Sequence, residues 1–213
     1  MTTVIVIAKE TIPGKVKTRL HPPFSLEQAA ELAAASLADT LETVKTLGAA
    51  ETILYFDGTV LPAESSGYRV LPQVAGTLDE RLAAVFDLCS GPTLLVGMDT
   101  PQIRRQHLLS AVSDWPQDAD AWFGPATDGG FWALGLREPD GSLIRGVPMS
   151  RDDTGVLQLA RLVTAGLRVR MLPPLTDVDT IDSAIEVATI APESRFARTL
   201  ATMNVLEPIG AGS

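Results

Sequence analysis

A single cysteine and two histidines in 213 residues leave little material for a disulfide framework or a histidine-built metal centre. Cys89 sits among the periodic apolar residues Leu82, Val85, Phe86 and Leu88, which marks it as a small core residue rather than a reactive thiol. A reducing, cytoplasmic compartment is expected. His21 and His107 have neither metal-ligand spacing nor a serine or cysteine partner motif, so a nucleophilic triad is not indicated. Cations are scarce as well: 17 Lys and Arg against 26 Asp and Glu give a net charge of -9. A surface of that sign repels nucleic-acid phosphates and anionic lipid, which excludes polymer and membrane-surface partners. The first apolar run, 4–8, is too short to span a bilayer and has no basic segment ahead of it, so neither secretion nor membrane insertion is expected. Two familiar phosphate loops are also missing. A P-loop requires G-x-x-x-x-G-K-[S/T], but Lys9 stands at the first glycine position and Val16 follows Gly14-Lys15. No G-x-G-x-x-G follows the first apolar run either. P-loop NTPases and simple dinucleotide-binding dehydrogenases are thereby excluded.

What is present is a chain with 46% hydrophobic residues, enough for one domain over 1–213 that buries roughly 70% of its unfolded surface. Strand-like runs at 4–8, 53–56, 93–96, 119–123, 131–136 and 168–171 alternate with helical patterns at 25–47, 78–88, 101–112 and 153–165, the last stopped by Gly166. Two short helices finish the chain. The alternation predicts an α/β fold with a mostly parallel sheet covered on both faces. Ser25-x-x-Gln28 and Thr77-x-x-Glu80 read as capping boxes, and Pro101 suits a first helical position. Segments 61–67 and 138–146 read as loops. No repeat, low-complexity tract or linker interrupts the chain.

In open α/β sheets ligands lie beyond the carboxyl ends of the strands, so the residues that follow each strand carry the functional interest. After the first comes Lys9-Glu-Thr-Ile-Pro-Gly14-Lys15-Val-Lys17-Thr-Arg19-Leu20, which holds four of the 17 cations in eleven residues. Gly14 allows close backbone approach, and Lys15, Lys17 and Arg19 supply charges suited to phosphate oxygens. Gly97-Met98-Asp99-Thr100-Pro101 follows the run 93–96. Asp99 there could hold Mg²⁺ or Mn²⁺ alongside substrate phosphates, or Asp99 or Thr100 could cap a helix begun by Pro101. Gly124-Pro-Ala-Thr-Asp128-Gly129-Gly130-Phe131 reads as a hairpin turn, or as a site where glycines admit a sugar or acceptor while Asp128 accepts its hydroxyl hydrogens. Asp177-Val-Asp179-Thr180 closes the last run. In extended chain both carboxylates face one way and could share a cation; the other reading makes Asp179 or Thr180 an N-cap.

The four segments, taken in order, resemble the radical-SAM/selenodomain-associated transferases, a branch of the nucleotide-diphospho-sugar transferase superfamily, along nearly the whole chain. The motifs are Pro13-Gly-Lys-Val-Lys-Thr-Arg-Leu20, Gly97-Met-Asp-Thr-Pro101, Gly124-Pro-x-x-Asp-Gly-Gly-Phe131 and Asp177-Val-Asp-Thr180. The first is also similar to the loop of phospholactate guanylyltransferases. The resemblance implies a GT-A-like, Rossmann-like three-layer sandwich. It implies phosphate contacts from Lys15, Lys17 and Arg19, a metal ligand at Asp99 in place of a full Asp-x-Asp, and a second ligand at Asp179. The sequence departs from the family at Gly97, where a first carboxylate would stand, at Ile181-Asp182-Ser183 in place of Pro-Glu-Asp, and at 146–153, which lacks an aromatic-Ser-Thr run.

The expected function is a metal-dependent, glycosyltransferase-like enzyme that binds a nucleotide or nucleotide sugar through Lys9, Gly14, Lys15, Lys17 and Arg19. Asp99 and Asp179 would hold the Mg²⁺ or Mn²⁺. Asp128, Gly129 and Gly130 would face a small-molecule acceptor, with Asp99 and Asp128 nearest the chemistry. A nucleotidyltransferase that releases pyrophosphate and a nucleotide-binding module without turnover are the alternatives.

Overall fold

A computed structural model describes residues 2–113 and 115–203. The strands are β1 (Thr3–Lys9), β2 (Glu51–Asp57), β3 (Arg69–Pro72), β4 (Thr93–Val96), β5 (Ala121–Pro125), β6 (Phe131–Leu136) and β7 (Val169–Met171). The helices are α1 (Leu26–Lys45), α2 (Leu78–Asp87), α3 (Arg105–Val112), α4 (Thr154–Thr164), α5 (Ile181–Ile190) and α6 (Arg195–Thr202). All seven strands form one sheet in the order β3-β2-β1-β4-β6-β5-β7. β1 lies between β2 and β4 and runs parallel to both, in a register that sets Lys9 opposite Asp57 and Val6 opposite Val96. Only β6 is reversed, antiparallel to β4 and β5.

The near-continuous apolar sequences of β1 and β4 follow from this placement, since helices cover both faces of the sheet. Val4, Val6 and Ala8 point into a core shared with Leu37 and Leu41 of α1 and Leu108 and Val112 of α3. Ile5, between them, points the other way, toward Leu82 and Phe86 of α2 and Leu162 of α4. A third cluster packs α5 and α6 against the first half of α1 through Leu32, Val187 and Phe196. Both expected capping boxes form: Ser25 N–H donates to Gln28 Oε1 at 2.8 Å, and Thr77 N–H to Glu80 Oε2 at 2.8 Å.

Four local expectations need correction. The helix expected from Pro101 begins at Arg105. Residues 101–104 are held as a turn, because Ile103 N–H bonds Thr100 O and the buried Gln102 side chain donates to Thr176 O at 2.7 Å. β3 was not anticipated, since it is a four-residue edge strand whose side chains lie mostly in solvent and leave no alternating pattern. Cys89, read as a small core residue, is half-buried, its thiol donating to Val85 O, and Leu88 beside it is exposed just past the end of α2. The segments expected as loops each contain a short 3₁₀ turn, Ala63–Ser65 and Gly141–Leu143. Among the described residues no helix is long and apolar enough to cross a membrane.

Candidate functional site

The carboxyl ends of β1 and β4, the β5–β6 hairpin and the chain between β7 and α5 open onto one cavity of about 760 Å³. That volume falls in the range of small-molecule sites. Lys9, Arg19, Asp99, Asp128, Gly130, Asp177 and Asp179 all line it.

Lys17 does not itself line the cavity but binds two residues that do, and its backbone is left-handed (φ 47°), a conformation that a side chain disfavours. The turn sends the side chain inward, and Nζ lies 2.6 Å from Asp99 Oδ1 and 3.0 Å from Asp179 Oδ1. Burial opposes the charge on Lys17, but Asp99 and Asp179 outweigh it and raise the pKa above the ordinary lysine value. Arg19 reaches Asp179 Oδ2 at 3.6 Å from a position 77% exposed. The basic loop and Asp99 thus belong to a single cluster.

Asp99 and Thr100 do not cap a helix, because α3 starts later, and Thr100 Oγ1 is buried with no partner among the described residues. Val178 N–H donates to Asp99 O at 2.9 Å, which ties the β4 loop to the segment after β7. The open choice at Asp179-Thr180 is also resolved. Thr180 is the N-cap of α5, and Ser183 answers it by accepting from the N–H groups of Asp179 and Thr180 at 3.0 and 2.9 Å. Asp179 keeps its carboxylate for the cations. Asp177 is largely buried, one carboxyl oxygen has no partner among the described residues, and its pKa is pushed up to about 7 by burial and then by Asp99 and Asp128.

The Asp128-Gly-Gly turn is a hairpin turn as well as a cavity wall. Asp128 Oδ1 accepts from Gly130 N–H at 2.9 Å, and Gly129 has φ +91°. Gly130 lines the cavity, whereas the open side of Gly129 is filled: a Cβ there would lie 1.8 Å from Asp152 O. Gly155 N–H, at the start of α4, donates to Gly129 O at 2.7 Å. Gly124 makes room for the ring of Trp132, whose Nε1 donates to Pro173 O. Gly14 (φ +78°) turns the basic loop, and neither it nor Lys15 lines the cavity.

Of two further groups of lining residues, the first left no trace in the sequence, and the second falls in 146–153, noted there only as a departure from the family. Gln73 and Arg81 form one wall; the Gln73 amide is fixed by donating to Ala8 O and Tyr55 O, at 2.9 and 3.0 Å, and Arg81 stands beside it. Gln73 follows the overlooked β3, and Arg81 is an isolated cation on an amphipathic helix, so neither left a motif. Met149, Ser150, Arg151 and Asp152 form the opposite wall, with Ser150 left-handed at φ 59° and Arg151 paired bidentately with Asp153. Strain at Ser150 is the signal there, and it is visible only in the backbone.

Among the described residues no group of three or more His, Cys, Asp or Glu is placed to hold a metal ion. The donor chemistry nonetheless fits a hard divalent ion that keeps water and substrate oxygens, since such ions are commonly held by one or two carboxylates plus phosphates. Asp99 and Asp179 flank one cation position, and Asp177, which lines the same cavity, has a buried carboxyl oxygen with no partner among the described residues.

Comparison with known proteins places this arrangement. A family profile described as "Uncharacterized protein conserved in bacteria (DUF2064)" matches residues 40–151. No curated protein matches the sequence. Among solved structures, a candidate nucleotide-diphospho-sugar transferase from Desulfovibrio desulfuricans is 25% identical, with a TM-score of 0.82 and 94% of each chain covered. Glucosyl-3-phosphoglycerate synthase from Mycobacterium tuberculosis, in complex with Mn²⁺, uridine diphosphate and glucosyl-3-phosphoglycerate, is 11% identical, with a TM-score of 0.54 over 94% of this chain and 78% of that one. For 2-C-methyl-D-erythritol 4-phosphate cytidylyltransferase from Thermus thermophilus the figures are 15%, 0.53, 90% and 100%. The last two share the fold alone.

Proposed function

The chain belongs to the DUF2064 family and has the fold of a nucleotide-diphospho-sugar transferase, and from that premise we propose that it moves the sugar of a nucleotide-diphospho-sugar onto a small-molecule acceptor with the help of Mg²⁺ or Mn²⁺. The single observation that carries this reading is the convergence of Arg19, Asp99 and Asp179, the two carboxylates bound to Lys17, on a cavity large enough for a nucleotide sugar. Asp99 and Asp179 would hold the divalent ion, which supplies positive charge to the diphosphate oxygens when bound.

The chain's own residues carry the rest. Lys9 and Arg19, both facing the cavity, bind the diphosphate and stabilise the charge that grows on it as it leaves. Gln73 and Arg81 line the wall beyond Lys9 and fit the nucleoside end. Asp128 faces the acceptor side from the hairpin, next to Gly130. In the transfer an acceptor hydroxyl oxygen bonds to the anomeric carbon and the bond from that carbon to the phosphate oxygen breaks. The electron pair leaves with the nucleoside diphosphate, and the hydroxyl proton passes to a cavity carboxylate, for which Asp128 is the assigned group.

Purified protein with Mn²⁺ is expected to release nucleoside diphosphate slowly from a nucleotide sugar, because water can replace the acceptor. Arg19→Ala should lower that rate at least tenfold, a loss equal to about 1.4 kcal/mol and below the ~1.5–3 kcal/mol typical of a charge-assisted bond. Steady-state assay of diphosphate release across a donor panel is the check. Release of pyrophosphate from a nucleoside triphosphate, with no diphosphate from any nucleotide sugar, would establish nucleotidyl transfer instead.

A further inference from the structure

Lys17 does not stand where a phosphate-binding lysine would be free to act. Its side chain is 7% exposed, and its ammonium is already engaged by two carboxylates, one of them 162 residues away in sequence. We propose that Lys17 is a resident counter-ion that keeps the Asp99–Asp179 pair charge-balanced, so that the divalent ion enters together with the nucleotide and is bound only weakly before it. The proposal rests on the assignment of Asp99 and Asp179 made above.

The balance is local. Asp99 and Asp179 face Lys17 at 2.6 and 3.0 Å, and Asp179 also faces the exposed Arg19 at 3.6 Å, so a free dication meets a pair whose charge is already partly offset. An ammonium in direct contact with both carboxylates repels an incoming cation and so offsets part of their attraction for it. Asp128 and Asp177 line the same cavity and add negative charge beyond this pair, so the weak metal binding argued here is that of the Asp99–Asp179 position itself. A nucleoside diphosphate changes the sign of the site, since its phosphate oxygens bring several negative charges to the Lys9 and Arg19 side of the cavity and supply ligands that the protein lacks. The left-handed backbone at Lys17 is consistent with a built position: a non-glycine residue is held in a disfavoured conformation that turns its ammonium inward.

The test is equilibrium dialysis of the intact protein against Mn²⁺ alone and against Mn²⁺ with GDP, UDP or CDP, counting the Mn²⁺ retained beyond a protein-free control. Wild type should retain Mn²⁺ at least tenfold more tightly with the preferred nucleotide than without it. Lys17→Met, which removes the charge, should tighten nucleotide-free Mn²⁺ binding at least tenfold, and Lys17→Arg should restore the wild-type ratio. A gain of metal affinity is a readout that mere structural damage does not produce. Equal Mn²⁺ affinity in wild type with and without nucleotide would overturn the proposal, and so would a Lys17→Met protein that loses Mn²⁺ under both conditions. Should Lys17→Met fail to fold, Lys17→Gln takes its place in the same comparison. If wild type retains no Mn²⁺ with any nucleotide, the transferase reading itself falls; if it does retain it but Lys17→Met gains nothing, only the role of Lys17 falls.

Discussion

Asp99 is a residue whose two readings in sequence, helix cap or ion ligand, carry opposite consequences for substitution. In the structure no helix starts beside it, its backbone carbonyl binds Val178 and its carboxylate binds Lys17. Asp99→Asn should therefore leave the fold intact, checked by circular dichroism, and abolish metal-dependent nucleotide binding by calorimetry, because the amide keeps the size and loses the charge. Unchanged metal-dependent affinity would remove Asp99 from the site. The positions of Asp99, Asp128 and Asp179 were legible because each follows a strand at the edge where ligands gather. The inward turn of Lys17 was not: nothing in Lys15-Val-Lys17-Thr-Arg19 distinguishes the buried lysine from the exposed cations Lys15 and Arg19 until the left-handed backbone is seen.

At the scale of elements, the hairpin between β5 and β6 and the first turn of α4 hold each other backbone to backbone. Gly129 O accepts from Gly155 N–H, and a Cβ on Gly155 would lie 2.4 Å from Gly130 O. The glycines admit a neighbouring segment of the same chain before they admit any ligand. Gly129→Ala should cost at least about 2 kcal/mol, since it combines an unfavourable positive φ with a clash against Asp152 backbone that cannot be relieved by a rotamer change. Urea unfolding would show this as a lower midpoint at unchanged slope. Asp-Gly-Gly announced the hairpin in sequence, and the capping boxes announced α1 and α2. β3 and the late start of α3 could not be announced, because an exposed edge strand has no apolar period and the turn at 101–104 is imposed by Thr176, 74 residues from Gln102.

For the whole molecule, strand and helix alternation was enough to read a mostly parallel sheet with two covered faces, while the strand order was not, because β1 pairs with β4 across the intervening α1, β2, β3 and α2. The same long-range closure explains why the site draws on both ends of the chain. One consequence concerns solvent exchange. The segment after β7 has no regular secondary structure for most of its length. Yet Leu175 N–H donates to Pro125 O, Thr127 N–H to Leu175 O, and Val178 N–H to Asp99 O, while Gln102 holds Thr176 from a third side. Deuterium uptake should therefore be as slow at Leu175 and Val178 as at the paired amides of β5, although the segment would be classed as a loop. Mass spectrometry of peptides spanning 172–180 would settle it, with uptake complete within seconds counting against a rigid carboxylate platform. Slow uptake would mean that Asp177 and Asp179 are fixed before any ligand arrives, so that binding orders the ligand and very little of the protein.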